Sequence, residues 1–213
     1  MNATTTGWLA LHGGAGWLAS EDSARRVLGR ATQLTAIPTA AAFENPSAAI
    51  ASAAGWFTPL GYTVTSSSIL TRHDANDPAH VATIASAQAL VFTGGQPLHL
   101  RSVMAESLAW AAVLDAFHRG VPIIAEGAAA SAFGDPMLDP RGGAFTIGLG
   151  LIAGMAILPG SDTWLADRRA RTLRLAGSTA LALVPSTTTL LRNPTGEWSS
   201  DGPADVTFIG TSS

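Results

Sequence analysis

Gly120-Val-Pro-Ile-Ile-Ala-Glu-Gly-Ala-Ala-Ala-Ser-Ala-Phe-Gly134 is a short apolar run, a sharp turn and a string of small residues. It reads as a buried strand over 120–125 that turns at Glu126-Gly127 into a small-residue helix, the geometry of a nucleophile elbow without the nucleophile. The same order of strand, turn and helix recurs toward the N-terminus. Residues 7–12 form a strand candidate ending in Gly13-Gly-Ala-Gly16, and Ser20-Glu-Asp ahead of residues 24–28 supplies a cap and first-turn acids for a helix. Residues 34–37 predict a second strand, and Asn45-Pro46 opens an Ala-rich helix running toward Leu60. Residues 62–70 alternate and are rich in β-branched side chains, which predicts strand three.

Asp77-Pro78 repeats the cap-plus-proline start for a helix to about Ala87, and residues 89–93 are a strand closed by Gly94-Gly95. Residues 98–118 carry apolar positions at helical spacing and predict one long helix leading back to the opening stretch. The alternation defines an α/β fold, a three-layer sandwich around a mainly parallel sheet of at least five strands, with 89–93 and 120–125 as adjacent core strands. After Asp135 come Pro- and Gly-rich loops, an apolar run over 146–158, an Arg-rich helix over about 163–174, and strands near 181–184, 188–192 and 206–209. With no linker or internal repeat, the reading is a single domain over 1–213.

Twelve arginines and no lysine stand against 15 Asp and Glu, a formal charge of −3, which argues against a nucleic-acid surface. At 47% hydrophobic and 13% charged residues, the chain has ample core material and lies far from disordered composition. The absence of cysteine excludes disulfides, thiolate metal sites and cysteine nucleophiles. Met1-Asn-Ala-Thr-Thr-Thr6 has neither a basic nor an apolar leader region, so no secretion signal and a cytoplasmic location are expected. The nearly unbroken apolar run over 145–159 is shorter than the roughly 20 residues a bilayer requires, so no membrane span is expected.

Ligands of parallel sheets gather where the carboxyl ends of strands open into loops. Four loops qualify: 12–16, 72–77, 93–97 and 125–131. The Gly13-Gly14 turn either offers backbone N–H groups to an anion or is simply a tight turn. It lacks the dinucleotide G-x-G-x-x-G spacing, and a lysine-free chain has no phosphate-binding G-x-x-x-x-G-K-[ST] loop, so no cofactor is expected. His12 and Glu126 end their strands at this edge as an acid/base pair, a ligand-binding pair or a local structural contact, and no third ligand supports a metal. Arg72 and Asp74 order their loop or hold a ligand carboxylate. The arginines at 168, 169, 171 and 174 read as a solvated face, and the six tryptophans as core or interface anchors, which leaves a homo-oligomer open.

With these residues in place the chain resembles the cyanophycinase and dipeptidase E group of serine peptidases, which share the class I glutamine amidotransferase-like, flavodoxin-like fold. The resemblance spans most of the chain. It rests on the glycine turn, on Arg72-His-Asp74 with Ala75-Asn-Asp-Pro78, on Phe92-Thr-Gly-Gly95, on Arg119-Gly-Val-Pro-Ile123, and on Gly148-Leu-Gly-Leu-Ile-Ala-Gly154. In that group the elbow reads roughly G-[TS]-S-A-G-A, and its serine falls on Gly127. The group's G-G-D-Q is altered to Gly94-Gly95-Gln96-Pro97. The catalytic histidine's place after G-L-G-L is taken by Gly160, and the supporting carboxylate's place by Ser186. The five histidines, at 12, 73, 80, 99 and 118, all precede the elbow, so the order of serine before histidine cannot be met. Ser131, one turn past the elbow, is either a substitute nucleophile or a packing residue. The resemblance therefore implies a homologue without catalytic residues that keeps a pocket for a small molecule or short peptide, formed by His12, Gly13, Gly14, Gly94, Gly95, Glu126, Gly127 and Ala128. The alternatives are an active hydrolase with displaced residues and a structural subunit.

Overall fold

The computed structural model describes residues 6–210, so the reading of residues 1–5 as leader-free lies outside the described residues. Five parallel strands form the centre: β1 (Leu9–His12), β2 (Gln33–Ile37), β3 (Thr63–Ser66), β4 (Leu90–Phe92) and β5 (Ile123–Glu126). Their spatial order is β1-β5-β4-β2-β3, so β4 and β5 are neighbours as expected from sequence. Helices connect them: α1 (Glu21–Leu28), α2 (Pro46–Phe57), α3 (Pro78–Ala85), α4 (Pro97–Met104) and α5 (Leu108–His118). The caps predicted from sequence are the caps used. Ser20, Asn45 and Asp77 each accept a backbone N–H from the first turn of α1, α2 and α3, from Ser23, Ala48 and Ala79 respectively.

Beyond β5 come α6 (Ala128–Phe133), the short strands β6 (Gly134–Asp135), β7 (Met137–Leu138), β8 (Phe145–Thr146) and β9 (Ile152–Ala153), then β10 (Met155–Pro159), α7 (Ala166–Ala176), β11 (Ala180–Val184), β12 (Thr189–Arg192), β13 (Trp198–Asp201) and β14 (Thr207–Ile209). β12 and β13 extend the main sheet antiparallel beside β1, while β10, β11 and β14 form a separate three-stranded sheet. Among the described residues, no helix is long and apolar enough to cross a membrane.

Side chains alternate across the central strands and so define two cores. Leu9, Leu11, Phe92, Ile123 and Ala125 pack with α4, α5 and α6 on one face. Ala10, Leu34, Val91 and Ile124 pack with Val27 of α1 and Ala53 and Phe57 of α2 on the other.

Two expected elements differ. Residues 98–118 form two helices, because Ser107 accepts the N–H of Trp110 and starts a new cap, with Glu106 in the left-handed region at φ 58°. Arg72 donates to the carbonyls of Ala105 and Glu106, and Asn76 accepts the N–H of Leu108. The 72–77 loop therefore closes this helix break and lines none of the clefts around the elbow. Strand three stops at Ser66, where Ile69 N–H turns back onto the Ser67 carbonyl.

β13 is tied to α1 through Asp201, whose carboxylate accepts the hydroxyls of Ser23 and Ser20. Those bonds, Ser23's the stronger, hold its pKa below the ordinary carboxylate range. The contribution is present above that range and lost as pH falls through the lowered pKa. Asp201→Ala is expected to cost about 1–2 kcal/mol at pH 7 by urea unfolding, because it orphans the fully buried Ser23 hydroxyl, and the difference should shrink on acidification.

Candidate functional site at the β5–α6 elbow

β5 carries Glu126 to the carboxyl edge of the sheet, directly beside His12 of β1. The next residue, Gly127, donates its N–H to the His12 carbonyl at 2.9 Å and takes φ 51°, ψ −112° before α6 begins at Ala128. That backbone is strained for any residue with a Cβ and open to glycine. The turns after β1 and β4 close in on it. A Cβ on Gly13 would collide with the Pro185 carbonyl and one on Gly95 with the Ala40 carbonyl, so both glycines are required by close backbone approach.

The eight sequence-predicted residues are gathered at this edge, yet they do not share one cavity. Gly13, Gly95, Gly127 and Ala128 line a cleft of about 370 Å³, with Gln96, Ser131, Gly160 and Arg168 among its other walls. Gly14, Gly94 and Glu126 line two neighbouring clefts against Trp17 and α2, Gly95 borders one of these as well as the Gly127 cleft, and His12 lines none of the three. Glu126, the last residue of β5, follows the face of Ile124, whereas Gly127 has left the strand through its positive φ and borders the cleft beside α6. The expectation that Glu126 and His12 face the Gly127 pocket is corrected accordingly.

The two polar residues also make separate contacts. His12, only 2% exposed, accepts the Gly14 N–H on Nδ1 at 3.0 Å, and burial pushes its pKa down to about 4, so the ring is neutral. Glu126 accepts the Gly94 N–H at 2.7 Å. Burial raises its carboxyl pKa, the Gly94 bond opposes that, and nearby Glu44 adds to the rise. No hydrogen bond joins His12 to Glu126 among the described residues. They are not an assembled acid/base pair, and no group of three or more candidate metal-binding side chains occurs among the described residues.

The positions that the resemblance assigns to a triad do meet around Gly13. A Cβ on Gly160 would sit 3.4 Å from the Gly13 carbonyl oxygen, and one on Gly13 would lie 2.8 Å from Ser186 Cα. Ser186 gives its hydroxyl to Asp162 at 2.8 Å and its N–H to the same carboxylate at 2.6 Å. Among the described residues no histidine lines the cleft. The serine–histidine bond present, Ser67 to His80 Nδ1 at 3.0 Å, lies beyond β3 at the sheet edge, with Ser67 buried.

Three lining residues escaped the sequence reading as a group. Arg168, read as part of a solvated face, lies with its guanidinium carbon 4.6 Å from the Trp164 ring centroid and donates to the Pro140 carbonyl. Ser131 is 3% exposed and its Oγ has no hydrogen-bond partner, an orphan group in the cleft wall. Gln96 sits at the altered G-G-D-Q position and reaches Glu44 at 3.2 Å.

A doubly flanked parallel sheet with a strand-turn-helix elbow at its carboxyl edge is a flavodoxin-like fold, and comparison with known proteins places it in a family. The family model for Peptidase family S51 matches residues 13–139, more than half of the chain, and the protein belongs to that family. Its fold is similar to that of a peptidase from an acI-B1 Actinobacterium, with 23% identity and a TM-score of 0.84, covering 96% of this chain and 91% of that one. It is also similar to a protein from Listeria monocytogenes EGD-e assigned as a peptidase E, with 14% identity and a TM-score of 0.71, covering 93% of this chain and 100% of that one. No curated protein matches the chain.

Proposed function

We propose that this member of Peptidase family S51 is a non-catalytic binding protein, which holds a short peptide or amino-acid derivative in the Gly127 cleft without cleaving it. The observation that carries the reading is the glycine at the turn itself. Residue 127 takes the elbow backbone but offers no hydroxyl, and Gly160 beside it offers no imidazole. Acyl transfer needs a nucleophile and a base within hydrogen-bond reach. Binding needs only the walls. Among the described residues Arg168 is the one charged residue lining the cleft, and its guanidinium suits a ligand carboxylate, while the Gln96 amide supplies neutral hydrogen bonds.

The reading is tested at the elbow. Gly127→Ser has room, since an added Cβ would be 3.5 Å from its nearest neighbour, Gly14 Cα. It is expected to lose about 1–3 kcal/mol of stability from the strained backbone and to gain no hydrolysis of dipeptides, because position 160 still has no base. Turnover by Gly127→Ser, or its labelling by a serine-directed fluorophosphonate at neutral pH, would show that a base reaches the site and would overturn the reading.

A further inference from the structure

Glu126 presents a carboxylate to the two clefts on the α1–α2 side with no cation to pair with it among the described residues. Its hydrogen bond there comes from the Gly94 N–H alone. A partly buried carboxylate in such surroundings is costly unless a donor or cation reaches it. Space for one is present. The clefts measure about 560 and about 320 Å³ and share Glu126, Trp17 and Ser52; the larger adds Trp56, the smaller Glu44. Among the described residues, both charged residues lining them are carboxylates and no arginine or histidine lines either cleft.

The walls fit the same chemistry. Trp17, 3% exposed, backs the clefts from the core and is fixed by its Nε1–H bond to Ser52 at 3.2 Å, while the half-buried Trp56 packs edge-on against Phe57 with ring centroids 4.7 Å apart. Indole faces attract organic cations, and more strongly where water is partly excluded. We propose that this double cleft is a binding site for a small organic cation, a primary ammonium or guanidinium group, with Glu126 as its counter-ion and the half-buried Trp56 as its aromatic wall. The site does not depend on the reading of the Gly127 cleft, from which the turns at Gly13-Gly14 and Gly94-Gly95 separate it.

The test titrates the full chain with n-butylammonium and with agmatine, using n-butanol and butyrate as neutral and anionic controls. Binding is read from tryptophan fluorescence and from the amide NMR shift of Gly94. Both cations are expected to bind and to move the Gly94 signal, while the controls do not. Glu126→Gln keeps an oxygen for the Gly94 N–H and removes the charge, and it should weaken cation binding by roughly tenfold or more. Glu44→Gln, at an exposed position, should weaken it less. Ala128→Trp fills the neighbouring cleft and should leave cation binding unchanged. Failure of both cations to bind, equal binding by Glu126→Gln, equal binding of butanol, or loss of binding in Ala128→Trp alone would each overturn the proposal. The last of these would place the ligand in the Gly127 cleft.

Discussion

Phe133→Ala is expected to lower the unfolding free energy by about 3–5 kcal/mol, the usual cost of emptying a buried aromatic site. Phe133 is fully buried at the end of α6, with its ring centroid 4.9 Å from that of Phe92 on β4 and 5.6 Å from that of Trp110 on α5. The consequence reaches the site because α6 has six residues, mostly alanine, and a helix that short depends on packing for its existence. Loosening it frees the wall that carries Ala128 and Ser131. Urea unfolding measures the first effect. Ligand affinity at the Gly127 cleft should fall with it, whereas Leu108→Ala, at an exposed position on α5, should change neither appreciably.

Acidification should destabilise the protein through His12. In the folded chain burial holds this imidazole neutral down to about pH 4, while in the unfolded chain it titrates near the ordinary histidine value of 6.5. Between those values the unfolded state takes up a proton that the folded state refuses, so stability falls as pH drops from 6.5 to 4 and the loss levels off below. A gap of 2.5 pH units corresponds to about 3 kcal/mol. Glu126, beside it on β5, works in the opposite direction: with its pKa raised by burial, its contribution is present below the ordinary carboxylate range and lost as pH rises through the raised value. His12→Gln can keep an acceptor for the Gly14 N–H, so the difference between wild type and His12→Gln across pH 7 to 4 isolates the histidine. Parallel pH dependence of the two proteins would contradict the assignment.

Much of the N-terminal half was legible because local chemistry and tertiary packing agree there. Ser20, Asn45 and Asp77 cap because their side-chain oxygens meet free N–H groups, and proline at 46 and 78 stands where no N–H is needed. The break at Ala105 to Ser107 was hidden inside a continuous apolar period, although Ser107 was a cap signal in plain view. The three-stranded sheet of β10, β11 and β14 pairs segments far apart in sequence, and periodicity within a segment carries no information about such partners. At the site, the glycine turns were legible as turns. The side that Glu126 takes was also within reach, because it continues the alternation of β5, whereas the positive φ at Gly127 takes the chain out of the strand. Arg168 was not, since four arginines on one exposed helix look alike until Trp164 and Pro140 select one of them.

Incubating the wild-type protein with a panel of dipeptides and amino-acid derivatives, with binding and hydrolysis followed in the same samples, tests the central claim most directly. Saturable binding is expected, weakened by Arg168→Ala for carboxylate-bearing ligands, with every bound peptide recovered intact. Peptide hydrolysis that co-purifies with the wild-type chain and is lost on substituting Ser131, or any other residue of the Gly127 cleft, would contradict it.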